Sequence, residues 1–155
     1  MRALGFLAAF LPALAFAQDA DPDNLIDFGE SETLIVESES GMHTFDVEVA
    51  DTLEEQAQGY MYRESVGPNE GMLFEFDEPK IATIWMKNTP IPLDIIFIRS
   101  NGRILKIEHN AQPYKLRSAS SEATVAAVLE LAGGRAEDLG ILPGDIIKHE
   151  FFGTE

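Results

Sequence analysis

The chain has 155 residues, with 11 Lys and Arg against 27 Asp and Glu for a formal charge of −16, 45% hydrophobic residues and no cysteine. That length supports one packed domain and is short for two. The missing cysteine excludes disulfide staples, thiolate zinc sites, iron–sulfur clusters and a cysteine nucleophile, and the acidic balance argues against a general nucleic-acid binder, which needs Lys and Arg to displace counterions.

Residues 1–17 read as a secretory signal peptide. Arg2 supplies the positive n-region, an apolar run follows from Ala3, and Ala15 and Ala17 stand at the −3 and −1 positions of a cleavage site. As a helix that run would reach roughly 22 Å, short of the roughly 30 Å hydrocarbon core, and Pro12 interrupts it. Residues 18–31 carry Asp19, Asp21, Asp23, Asp27 and Glu30 with no basic residue, which predicts a flexible acidic leader, Leu25, Ile26 and Phe28 excepted. With no later apolar stretch long enough to span a bilayer, the expected product is exported, periplasmic or secreted, without stable membrane insertion after cleavage.

From Glu32 the pattern turns to short β-favouring runs at 33–36 and 43–49, the second alternating Phe45, Val47 and Val49 with Thr44, Asp46 and Glu48. Thr52 three residues before Glu55 has capping-box spacing, and Gly59 is a stop, so a short helix is predicted over Leu53–Gln58. Residues 67–71 are turn chemistry. Four strands are then predicted at 72–76, 81–86, 94–98 and 103–108, the last two joined by an Asn101-Gly102 hairpin and the middle two by a loop stiffened by Pro90 and Pro92. Residues 124–131 read as a buried strand, Arg135–Leu139 as a helical turn, and 146–152 as the closing strand. The prediction is a mainly β chain, with residues 32–155 forming a single jelly-roll-like sandwich or partly open barrel with one or two short helices.

At Gly71-Met-Leu-Phe-Glu-Phe76, and above all at Trp85-Met-Lys-Asn-Thr-Pro-Ile-Pro-Leu-Asp94, the sequence resembles the family known as domain of unknown function 192. Phe45 to Asp51, Gln58 to Arg63, Val128 to Glu130 and Gly140 to Asp145 extend the resemblance, while Tyr60 departs from the small aliphatic residue usual before Met61. The resemblance implies an all-β, jelly-roll-like, often exported domain and no established activity.

The densest polar constellation is Lys87, Asn88, Thr89 and Asp94 beside Trp85, around the double-proline loop. An ammonium, an amide, a hydroxyl and a carboxylate next to an indole suit a small polar ligand such as a sugar or amino acid. The same residues also suit a loop pinned by a Lys87–Asp94 pair, with Asn88 and Thr89 serving its backbone. That pair assumes that 81–86 and 94–98 are neighbouring antiparallel strands. Arg63 is a candidate for a ligand carboxylate or for an ion pair with one of the many acids. An enzyme reading, a hydrolase or isomerase acting on an envelope component, draws on Asp94 with His109 or Glu130, although no catalytic motif fixes their geometry. His43, His109 and His149 lack metal-ligand spacing, Met42, Met61, Met72 and Met86 read as core filler before copper ligands, and no EF-hand loop accompanies the acids, so neither metal nor cofactor is expected. The function expected is that of an exported binding or accessory domain whose partner is a small polar ligand or an envelope protein. A structural or interaction protein without a ligand is the third alternative.

Overall fold

A computed structural model describes residues 20–155; the predicted signal peptide lies outside the described residues. Seven strands form one sheet in the order β5-β4-β6-β3-β2-β1-β7. They are β1 (Glu32–Ser38), β2 (Gly41–Ala50), β3 (Glu70–Ile84), β4 (Leu93–Ile98), β5 (Ile104–Ala111), β6 (Ala119–Ala132) and β7 (Ile146–Lys148), with α1 (Leu53–Gln58) and α2 (Arg135–Leu139) between them. The pairs are antiparallel except β2 with β3, where α1 supplies the crossover that a parallel connection requires. The mainly β prediction therefore holds, and of the two architectures it allowed, the sheet takes the partly open barrel. It curls until its two edge strands meet at one corner, where Arg103 bridges Ile146 and Ile147 N–H donates to Gly102 O at 2.7 Å. Glycine is required there: Gly102 has φ +80, and a Cβ would lie 2.7 Å from Ile147 O.

The period-two alternation of the strands produces two apolar clusters, one on each face. The enclosed face takes a residue from every strand, among them Leu34, Phe45, Leu73, Ile96, Ile104, Leu129 and Ile147. On the outer face Met72, Phe74, Leu93, Ile95, Phe97 and Val128 are covered by irregular chain that contributes Phe28, Tyr60, Met86 and Ile91.

Three expectations change. The runs at 72–76 and 81–86 are one strand, β3, because its register with β6 slips between Glu75 and Lys80 around Pro79 instead of turning back. A bulge absorbs the missing proline N–H, so the chain bends without leaving the sheet. In consequence β6 lies between β3 and β4, and the predicted neighbouring pair does not exist. The closing strand stops at Lys148 and gives way to a 3-10 turn, Glu150–Phe152, because the His149 ring accepts the Phe151 N–H at 3.3 Å. In the acidic leader, the excepted apolar residues divide: Phe28 is buried, Ile26 packs against the outer cluster, and Leu25 stays exposed.

Candidate functional site

Along β6, Leu129 and Leu131 enter the enclosed core, so Glu130 between them projects from the outer face. Glu130 is only 4% exposed, and its carboxyl makes no hydrogen bond or ion pair with any described residue. Burial pushes its pKa from 4.5 up to about 8, which keeps it a neutral acid at pH 7. It borders a cavity of about 140 Å³ walled by Gln58, Tyr60, Thr89 and Trp85, with Phe74 and Leu93 supplying apolar surface.

Local sequence places each wall. At α1 the capping box forms: Glu55 N–H donates to Thr52 Oγ1 at 3.2 Å and Thr52 N–H to Glu55 Oε2 at 3.0 Å. Gly59 ends the helix at φ +46, where a Cβ would stand 3.1 Å from Phe74 Cζ; glycine thus lets the helix exit press against the sheet. Gln58 and Tyr60 are set over Glu130 by that contact. Ile26 N–H donates to Gln58 Oε1 at 2.8 Å, which fixes the amide's orientation, and among the described residues Gln58 Nε2 is a buried donor with no partner. Burial, reinforced by the Glu130 carboxyl, holds the Tyr60 phenol far above its usual pKa, so it remains protonated. Thr89 Oγ1 donates to Lys87 O at 3.1 Å, leaving its oxygen able to accept. The cavity thus presents an unpaired amide donor, a carboxylic acid, a phenol and a hydroxyl beside a half-exposed indole.

The predicted site residues part company. Trp85 and Thr89 line the cavity. Lys87 Nζ lies 5.1 Å from the Trp85 ring centroid. Asn88, at φ +54, accepts the Tyr62 N–H on its carbonyl at 2.8 Å and turns its Nδ2 to Met61 Sδ, 3.9 Å away, serving the loop. Arg63 forms a two-point ion pair with Glu48 and stacks over Phe28 and Tyr60, its Cζ 5.2 and 5.4 Å from their centroids.

Asp94 belongs elsewhere. Fully buried, it accepts N–H groups from Asn110 (2.8 Å), Gly134 (2.9 Å) and Ala136 (2.7 Å), tying β4 to the end of β5 and the start of α2. Without a β3–β4 pair, the strand arrangement that was to set it opposite Lys87 is lost. In the β4–β6 register Asp94 faces Leu131 and Ile95 faces Glu130, so the two carboxyls project from opposite faces and cannot share a proton. His109 is exposed and lines a different cleft. His43 Nε2 sits 2.7 Å from Ser40 Oγ, and His149 Nε2 2.9 Å from Glu32 Oε2. Met61, Met72 and Met86 are buried as core filler, but Met42, at 56% exposure, lies outside the core, and among the described residues no group of three or more His, Asp or Glu is placed to hold a metal.

Residues 34–149 match the sequence model of DUF192, described as an uncharacterized ACR. The chain belongs to this family. The DUF192 match spans all seven strands except the first residues of β1, and includes every cavity residue named above. The similar solved structures include the following two. A protein of unknown function from Novosphingobium aromaticivorans DSM 12444 is 44% identical, covering 77% of this chain and 85% of its own, with a TM-score of 0.76. A "putative transcription regulator" from Sinorhizobium meliloti 1021 is 37% identical, covering 83% of this chain and 99% of its own, with a TM-score of 0.78. No functionally curated protein matches the chain.

Proposed function

We propose that this DUF192 domain is an exported binding protein that receives a small, uncharged, hydrogen-bonding molecule in the Glu130 cavity. The observation that carries the reading is the buried Gln58 Nε2 and a buried carboxyl, both without a partner among the described residues and both at one cavity. A buried unmade hydrogen bond costs about 1–3 kcal/mol, so such groups are retained where something else satisfies them. A ligand carbonyl or hydroxyl oxygen would accept from Gln58, a second hydroxyl or amide would exchange hydrogen bonds with Glu130, and a flat face would lie on Trp85. The volume, about 140 Å³, is close to the roughly 150 Å³ that holds a benzene ring, so a small carboxamide fits inside, and a sugar enters only in part, the rest extending past the half-exposed Trp85. An anion is disfavoured inside, because Arg63 is engaged by Glu48 and Glu130 is itself an acid. Transcription regulation, the role that the Sinorhizobium meliloti relative's name carries, finds little support here if it works through DNA contact, given 11 basic residues against 27 acidic ones.

The test titrates glucose, N-acetylglucosamine and acetamide into the ¹⁵N-labelled protein. Shifts at the amides of Gln58, Thr89 and Glu130, lost in Glu130→Leu with the fold retained, are expected. Silence from all three probes, together with a bare protein by native mass spectrometry after recovery from its own periplasm, overturns the binding reading. An N-terminus at Gln18 in that sample checks export.

A further inference from the structure

Charge is unevenly spread along this acidic chain. Residues 80–117 hold Lys80, Lys87, Arg99, Arg103, Lys106, Lys115 and Arg117 against only Asp94 and Glu108. Three of those cations line a second cleft on the outer face, about 470 Å³, between β5, the start of β6 and the loop that joins them. The segment from Ile84 to Met86 separates it from the Glu130 cavity, Ile84 lining both.

The cleft's lining is mixed. Its partly exposed apolar groups are Ile84, Ala111 and Ala119, above the buried Met86 and Ile95. Of its cations, Lys106 donates from Nζ to Ser120 O at 2.9 Å and stands 3.4 Å from Glu122 Oε2, so its charge is already engaged. Lys115 and Arg117 make no ion pair or side-chain hydrogen bond with the described residues. Two such cations in one cleft are unexpected on a chain with 27 acids. Alternation along the loop places them together, while Tyr114 and Leu116 between them are 62% and 66% exposed and absent from the lining. Hydroxyl and amide groups of Ser118, Ser120 and Asn110 complete the rim, with Glu108 and Glu122 at its edges and His109 beside them.

The backbone adds an independent sign. Among the described residues five non-glycine residues have positive φ, of which Asn110 (+50) and Glu122 (+60) line this cleft and Tyr114 (+61) stands next to its Lys115. Tyrosine and glutamate find that conformation unfavourable, and such strain is kept where surrounding structure imposes it for a purpose. Here Met86 N–H to Lys115 O (2.9 Å) and Tyr114 N–H to Thr89 O (3.2 Å) lash the strained loop over the site.

We infer that the cleft binds a ligand that joins a phosphate group to an apolar body, the phosphate between Lys115 and Arg117 and the body on Ile84, Ala111 and Ala119. A dianion matches two cations with hydroxyl donors nearby, and the guanidinium fork suits phosphate oxygens. The inference stands apart from the Glu130 cavity and survives if that reading fails.

Hexyl phosphate is titrated into the ¹⁵N-labelled protein, with hexanol as the uncharged control. Shifts confined to amides of 106–122, binding about tenfold or more tighter than hexanol, weakening with salt, and a similar loss in the folded double variant Lys115→Gln/Arg117→Gln are expected. Equal binding of hexanol, no shift in those amides, or unchanged affinity in the double variant overturns the site. Sedimentation with phosphatidylglycerol vesicles but not phosphatidylcholine vesicles, abolished in the double variant, assigns the phosphate to a lipid headgroup. Hexyl phosphate binding without sedimentation assigns it to a soluble molecule.

Discussion

The strands β4, β6 and β3 carry two faces made from alternate residues of the same sequence, and the faces solve burial differently. On the enclosed face Ile96, Leu129 and Leu73 cluster with apolar side chains from the remaining strands and from the α2 region, and the one carboxylate on that side, Asp94, is satisfied by three backbone N–H groups. One residue along, Ile95, Glu130 and Met72 form a row across the sheet that no strand covers; α1, its glycine exit and the 85–92 segment cover it instead. A sheet-lined core closes because twist and register leave little choice, whereas a loop-covered face tolerates gaps and polar groups. The unpartnered Gln58 amide, the buried neutral carboxyl and both clefts all lie on the loop-covered side. The barrel interior gives the fold its rigidity, and its outside has room for chemistry.

Substitution can break that contrast. The largest loss is expected at Asp94, whose replacement by alanine strands three backbone N–H groups, one buried and two part-buried, and should cost about 4 kcal/mol in urea unfolding, while leaving any Glu130-cavity ligand its affinity. A loss below about 1 kcal/mol would mean that those amides find other partners. Leu129→Ala, on the enclosed face, should cost about 3 kcal/mol because the barrel cannot collapse around the hole. Its neighbour Glu130 should behave oppositely. Its pKa rises from 4.5 to about 8 on folding, so between those values the folded protein holds a proton that the unfolded chain releases. Stability from this group is full below about pH 4.5 and falls as pH rises toward 8. Glu75, raised to about 7 by burial and then by Glu32, acts with the same sign, so the informative quantity is the difference between wild type and Glu130→Gln. The variant's advantage over wild type should grow by about 3–4 kcal/mol between pH 5 and pH 8. A constant difference across that range would show the carboxyl to be ionised in the folded state.

The sequence made most of the frame legible, because its signals are local. Thr52, Glu55 and Gly59 mark α1 by spacing alone, and Asn101-Gly102 marks the β4–β5 turn. Pro79 misled, since a proline between two apolar runs resembles a boundary when a bulge is not foreseen. The candidate site was half legible. Trp85 and Thr89 stand out in a polar cluster, and Glu130 is a lone carboxylate inside the apolar run of β6. Gln58 gave no such sign: in a helix reading LEEQAQ it looks like any solvent-facing residue, and only docking against the sheet buries it. Asp94 was grouped with Lys87 because the two are near in sequence, while its partners at Gly134 and Ala136 are brought to it by the insertion of β6, which is a property of topology.

The smallest effect tests the boundary between frame and site. Arg63 pairs with Glu48 at 27% and 25% side-chain exposure, where solvent screens the charges, and its guanidinium also lies on the Phe28 and Tyr60 rings. A double-mutant cycle of Arg63→Met and Glu48→Gln should give a coupling of about 0.5 kcal/mol, falling in high salt. The stacking is independent of Glu48, so Arg63→Met should lose somewhat more than Glu48→Gln does. Equal single losses would mean that the guanidinium contributes charge alone and that Tyr60 is held over the cavity by the Gly59 turn without it. A larger loss at Arg63, with the coupling unchanged, would make the stacked arginine the outer support of the cavity's phenol wall.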